Sequence, residues 1–334
     1  MISIESDFTI TNFQFDKGGV LPELRLHYRT LGTPQFDADG RATNAVLIMH
    51  GTSGSGAAFL REQFAGVLFG KGQLLDTERY FIILPDAIGH GGSSKPSDGL
   101  RAAFPEYGYN DMVRACHQLV TEGLSINHLR LVTGTSMGGM HSWVWGYTYP
   151  TMMDALMPMA SLPGPIAGRN RMVRRMIIDG IRNDPEWQNG NYTSQPRGLI
   201  TACYAMLFMT SIPLQMRKEA PTLAEADALF DKKISEYLAR FDANDLLYQV
   251  GASWDYDPSP HLEQIVAPLL AINSADDQVN PPELRIMENN IGRVANGEFV
   301  LIPISDATRG HGSHSWPVLW QDDLRRLLAR SQPN

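Results

Sequence analysis

A serine hydroxyl becomes a nucleophile only when a base takes its proton and a third group holds that base in the right tautomer. Ser136 is the first candidate. It lies in Gly134-Thr135-Ser136-Met137-Gly138-Gly139, a G-x-S-x-G stretch. Leu129 to Thr133 reads as a buried strand before it, and Met140 to Tyr149 as a helix after it, stopped by Pro150. The serine therefore sits at a strand-to-helix turn, the arrangement of a nucleophile elbow. A tight, strained turn pushes the Ser136 hydroxyl into the open. Gly134 and Gly138 lack the Cβ atoms that would collide where strand and helix cross. The Met137 N–H, at the helix start, then points where an oxyanion would form.

An elbow enzyme requires the chain order serine, acid, histidine. The acid should follow a late strand, as Ser274-Ala275-Asp276-Asp277-Gln278-Val279-Asn280-Pro281 does. Asp277 is preferred to Asp276 because it carries the x-Val-x-Pro continuation usual after this acid; Asp276 is then a solvated or capping carboxylate. The histidine should follow the last strand, within Arg309-Gly310-His311-Gly312-Ser313-His314. His311, directly after a glycine, is preferred to His314, which reads as pocket-lining or capping. A second oxyanion donor should come from the loop after the first central strand. His50-Gly51-Thr52-Ser53-Gly54 is that loop, so the Thr52 N–H joins that of Met137, and His50 reads as structural. The loop from Asp86 to Gly92 lacks the lysine and spacing of a phosphate cradle and reads as a tight turn. No H-E-x-x-H motif points to a metal, and no cofactor is implied.

These residues need a scaffold. Phe8 to Tyr28 alternates apolar and polar around Lys17-Gly18-Gly19, predicting a hairpin. Buried-strand runs follow at 44–50, 80–84, 155–160, 268–273 and 298–303, the third containing Pro158. Helices are expected at 57–69, at 111–122 with Asn110 or Asp111 as N-cap, and at 317–330. Such alternation predicts an α/β fold with a mostly parallel sheet covered on both faces. Between Pro165 and Pro260 only helical segments appear. The expected division is a core of 1–164 and 261–334, with a helical lid of 165–260 inserted between core strands. Eleven of the 15 methionines lie between Met137 and Met216. They fit either a core filled with flexible side chains or a plastic apolar wall over the site.

The 334 residues suffice for a full core, and 43% are apolar. A net charge of −8 without a basic cluster argues against a nucleic-acid footprint. Cys116 and Cys203 cannot make a disulfide framework and read as small buried hydrophobes. The start lacks a signal-peptide pattern and no apolar run is long enough to span a bilayer, so a cytoplasmic protein acting on a small-molecule acyl ester is expected, without nucleic acid or membrane. The residues point to a serine hydrolase cleaving small or medium carboxylic esters through an acyl-enzyme. The alternative is transfer of the same acyl group to an alcohol; a non-catalytic binding protein on this scaffold is a remote third.

Together, His50-Gly51-Thr52-Ser53-Gly54, Thr135 through Met140, and Asp277 through Pro282 resemble the α/β-hydrolase superfamily. Gly190-Asn191-Tyr192, Pro196-x-Gly198-Leu199 and Arg240-Phe241-Asp242-Ala243-Asn244 narrow this to a likeness to homoserine O-acetyltransferases. The resemblance implies a Ser136/Asp277/His311 triad, a helical lid, acyl transfer from acetyl-CoA as the alternative reaction, and often a homodimer joined through lid helices. It also exposes departures. Where the acetyltransferases carry an arginine for the homoserine carboxylate after Gly-Leu-x-x-Ala, this chain has Cys203. Their Thr-Tyr-Arg-Ser segment is replaced near Met209-Thr210-Ser211, and their Gly-His-Asp is Gly310-His311-Gly312. Arg169, Arg171, Arg174 and Arg175 are the alternative cations.

Overall fold

The structure, a computed structural model, describes residues 2–332. Eight strands form one sheet: β1 (Ile4–Gln14), β2 (Val20–Leu31), β3 (Ala45–Met49), β4 (Phe81–Pro85), β5 (Leu131–Thr135), β6 (Leu156–Met159), β7 (Leu269–Ser274) and β8 (Gly297–Ile302). Their spatial order is β1-β2-β4-β3-β5-β6-β7-β8. The β1–β2 hairpin is antiparallel and joins β4 antiparallel, while every pairing from β4 through β8 is parallel. This is the α/β sheet expected from the apolar runs.

Helices α1 (Glu62–Leu68), α2 (Tyr109–Gln118), α3 (Met137–Thr148), α4 (Gly168–Arg182), α5 (Gly198–Thr210), α6 (Pro213–Glu219), α7 (Leu223–Arg240), α8 (Ala243–Gly251), α9 (Ile286–Asn290) and α10 (Gln321–Arg330) complete the chain. Period-two alternation explains the layering. Leu47 and Met49 of β3 pack with Trp143 and Val113 of α3 and α2, whereas Val46 and Ile48 pack with Phe64, Leu68 and Leu327 of α1 and α10. Both strand faces are thus buried.

Several boundaries differ from expectation. The helix predicted from Ala57 to Phe69 is a 3-10 turn, Gly56–Leu60, then α1, and the closing helix is split into Pro317–Leu319 and α10. Neither Asn110 nor Asp111 caps α2. Gly108 is the N-cap, Asp111 reaches back to its N–H at 3.0 Å, and Asp255 accepts the Tyr109 and Asn110 N–H groups at 2.9 and 3.0 Å. The cap comes from 145 residues away, which local sequence cannot show. β6 forms despite Pro158, whose missing N–H falls between the two residue pairs that register β6 against β7.

Helices α4 to α8 lie between β6 and β7, and α4, α5, α7 and α8 share an apolar cluster that includes Ile177, Ile181, Leu199, Cys203, Ile234, Leu246 and Val250. Two of its motifs converge on one junction. Asp242 caps α8 by accepting from the Asn244 and Asp245 N–H groups, and it also takes the Tyr192 hydroxyl at 2.7 Å. Asn244 donates to the Gly190 carbonyl at 2.9 Å and accepts from Trp187 at 2.8 Å. The Phe-Asp-Ala-Asn segment is therefore a structural knot. Cys116 and Cys203 are free and buried, as expected. Among the described residues, no single helix is long and apolar enough to cross a membrane.

Candidate functional site

Strand β5 ends at Thr135 and α3 begins at Met137, leaving Ser136 alone in the turn with φ 55° and ψ −112°. That backbone is strained for a residue with a side chain. A Cβ on Gly134 would strike the Gly138 backbone, and one on Gly138 would strike the Met49 carbonyl. The crossing closes only because both are glycine. The expected strand was placed two residues too early, since its polar Thr135 also runs buried between β3 and β6.

The Ser136 Oγ lies 2.8 Å from Nε2 of His311. Nδ1 of His311 lies 2.8 Å from Oδ2 of Asp277. His311 stands in the 3-10 turn after β8, and Asp277 in the loop after β7, so three parallel strands deliver all three groups to one sheet edge. Asp277 is almost fully buried. Burial pushes its carboxyl up, but the charge and hydrogen bond of His311, with the N–H groups of Val279 and Asn280, outweigh this and hold it below the usual carboxylate range. The Asn280 amide also donates to Asp277 Oδ2 at 3.2 Å and to the Ala160 carbonyl at 2.8 Å, tying the acid loop to the end of β6.

The two rejected neighbours have distinct places. Asp276 is not solvated: it is buried and accepts from the Ser274 and Thr308 hydroxyls. It ties the end of β7 to the loop before His311, a pairing set by tertiary structure alone. His314 lines the same cavity as His311, with ring centroids 5.6 Å apart. Burial, then the neighbouring His311, pushes its pKa down to about 3. It is a neutral wall residue.

A cavity of about 230 Å³ opens beside Ser136. Gly51, Thr52 and Ser53 form one wall, Met206 and Met209 of α5 another, and Arg61, Arg174 and Arg240 bring cations to it. Among the described residues, neither the Thr52 N–H nor the Met137 N–H meets a protein acceptor. Two backbone donors thus remain free near the serine. His50 is structural: Nδ1 donates to the Gly51 carbonyl at 2.8 Å and Nε2 accepts the Ala87 N–H at 3.0 Å. Both methionine readings hold in part. Met137, Met153, Met157 and Met159 fill the core, Met206 and Met209 face the cavity, and Met172 and Met176 are exposed.

Of the four candidate cations, Arg174 alone reaches the cavity. Arg169 donates to the Gln278 carbonyl, Arg171 lines a separate groove, and Arg175 pairs with Asp179 at 3.0 Å. Arg61 and Arg240 had no assigned role in the sequence. Arg240 at least belongs to a legible motif, whereas only folding shows that Arg61 lines the cavity.

The sheet order, the strained serine and the hydrogen-bonded Ser–His–Asp chain define an α/β-hydrolase-type site. The chain belongs to the alpha/beta hydrolase fold family, whose model matches residues 44–303, and to its homoserine O-acetyltransferase-like branch. It is 30% identical over 318 residues to a homoserine O-acetyltransferase of Pelobacter propionicus, covering 83% of each chain. Among solved structures it is similar to the homoserine O-acetyltransferase of Bacillus anthracis, with TM-score 0.84, 22% identity and 98% of each chain covered. It is also similar in shape to an acetylester hydrolase from Corynebacterium glutamicum, with TM-score 0.83, 20% identity, and 98% and 96% covered.

Proposed function

We propose that Ser136 forms an acyl-enzyme and that the acyl group then passes to an alcohol. The observation carrying this reading is the pair of 2.8 Å contacts from His311, one to Ser136 and one to Asp277. Ser136 attacks the acyl carbonyl; His311 takes its proton and later returns it to the leaving group; Asp277 holds the Nδ1–H tautomer and stabilises the imidazolium. The Thr52 and Met137 N–H groups receive the oxyanion. Helices α4 to α8 act as a lid over the cavity.

Transfer is placed ahead of hydrolysis, reversing the order the residues alone suggested. The relative supporting transfer is similar in sequence at 30%, whereas the likeness to the hydrolase, at 20%, concerns the fold. Hydrolysis stays as the second reading for a specific reason: Cys203 stands where the acetyltransferases have their carboxylate-binding arginine, and a thiol cannot form a bidentate pair. The deciding experiment incubates the protein with acetyl-CoA and hydroxy compounds, homoserine included. CoA release that depends on the acceptor supports transfer; release at the same rate without it supports hydrolysis.

A homodimer through the lid is part of this proposal. Met172 and Met176 of α4 and Tyr204 and Phe208 of α5 leave apolar side chains exposed on the helical block. Sedimentation at increasing concentration tests it, and a monomer throughout counts against it.

A further inference from the structure

His314 is a cavity histidine that the acyl-enzyme chemistry leaves unused. The Trp320 indole donates to its backbone carbonyl at 3.2 Å, which braces the 3-10 turn carrying the ring. The ring lies edge-on to that of His311, with planes at 87° and centroids 5.6 Å apart. Three histidines line the cavity beside Ser136: His50, His311 and His314. His50 and His311 use both ring nitrogens within the protein. His314 does not. Its Nδ1 lies 3.0 Å from the Ser315 hydroxyl, whereas Nε2 has no hydrogen-bond partner among the described residues. The Nε2 atoms of His90 and His141 are also unpartnered, but those rings are buried away from the cavity and no ligand in it can reach them.

The ring is suited to reading a polar group rather than to moving a proton. Burial and the neighbouring His311 keep it uncharged down to about pH 3, so at neutral pH it is no rival base. A neutral imidazole offers one donor and one acceptor, and the bond made by one nitrogen sets the role of the other. The Ser315 hydroxyl can donate to Nδ1 or accept from it, so Nε2 can accept or donate in turn. A hydroxyl matches either state, because it also does both. Position then says which hydroxyl. His311 returns its proton to the oxygen of a departing alcohol, or takes one from an entering alcohol, so that oxygen sits at His311 Nε2. The His314 ring is its neighbour on the same wall, within reach of a group a few bonds further along the alcohol.

We propose that His314 hydrogen-bonds a second hydroxyl on the alcohol portion of the substrate, so that the site favours monoesters of small diols or polyols, or those diols as acyl acceptors, over simple alkyl counterparts of the same size. A cavity of about 230 Å³ suits such small esters. The inference rests on the acyl-enzyme reading for its place in a reaction, not for the contact itself.

Matched esters isolate that contact. 2-Hydroxyethyl acetate and propyl acetate differ only by a hydroxyl in place of a methyl, as do 3-hydroxypropyl acetate and butyl acetate. The hydroxylated member of at least one pair is expected to be favoured by roughly 10-fold in kcat/KM, the effect of one hydrogen bond. His314→Phe should abolish that ratio, chiefly through KM, and His314→Gln, whose amide also donates and accepts, should restore part of it. Equal use of both members in both pairs, or a preference that survives His314→Phe, overturns the proposal. Nitrogen NMR of ¹⁵N-histidine-labelled protein reads the contact without turnover. The His314 Nε2 signal should move on adding ethylene glycol or 1,3-propanediol and stay in place with 1-propanol; no movement with either diol overturns the proposal. If no ester turns over and a fluorophosphonate does not label Ser136, the acyl-enzyme reading fails, and the titration still decides the contact. Should His314→Phe not fold, the titration of the wild-type protein decides.

Discussion

Nε2 of His311 and Oγ of Ser136 lie 175 residues apart in the chain and 2.8 Å apart in space. That distance is already within reach for proton transfer. Ser136→Ala should therefore lower turnover of any accepted ester by at least about 10⁴-fold, with the fold intact by circular dichroism. His311→Ala should cost about as much, because residues acting as one unit are not additive. Full turnover in either variant would remove the acyl-enzyme reading.

Adjacent aspartates should behave in opposite ways. Asp277 faces His311, so Asp277→Asn should drop kcat by roughly 10³- to 10⁴-fold through the wrong tautomer, with little change in melting temperature. Asp276 faces the Ser274 and Thr308 hydroxyls, so Asp276→Ala should show mainly in stability, by about 1–3 kcal/mol in urea unfolding. The opposite pattern would transfer the acid role to Asp276.

The remote cap on α2 is testable without any substrate. Asp255→Ala removes the acceptor for the Tyr109 and Asn110 N–H groups and should destabilise the protein by about 1–2 kcal/mol. A urea midpoint equal to that of the wild type would show that solvent satisfies those donors.

Acid stability should follow the buried histidines. His141 packs edge-on against Tyr109, and burial, then the neighbouring His50, pushes its pKa down to about 3. The unfolded chain protonates near 6.5, so between these values it binds more protons than the folded state. Stability is then complete above about pH 6.5 and is lost as pH falls toward 3, by up to ~1.4 kcal/mol per pH unit for this residue. His141→Phe should flatten the dependence of melting temperature on pH between 7 and 5. An unaltered slope would assign acid sensitivity to other groups, such as His50 and His90, which burial also holds low.

Much of the site was legible because its chemistry demands particular residues in local patterns. The elbow must carry glycine where strand and helix collide, and Gly134 and Gly138 show that collision directly. The run of buried strands announced the sheet, since a strand covered on both faces has no polar side to present. Asp276 was misread as solvated because its partner Thr308 lies 32 residues on. The cap of α2 was misplaced for the same reason, its acceptor being Asp255. Four arginines on one helix were equivalent on paper, and only the direction each faces on the folded α4 separated Arg174 from the rest.

By itself, then, the chain determined the candidate serine, the order of the acid and histidine that meet it and the layered α/β scaffold, because each follows from covalent geometry or from the period of apolar residues. Tertiary structure decided which buried charges find partners and which do not. That distinction belongs to pairs brought together from distant parts of the chain, and desolvation gives it energetic weight only after the chain has folded around them.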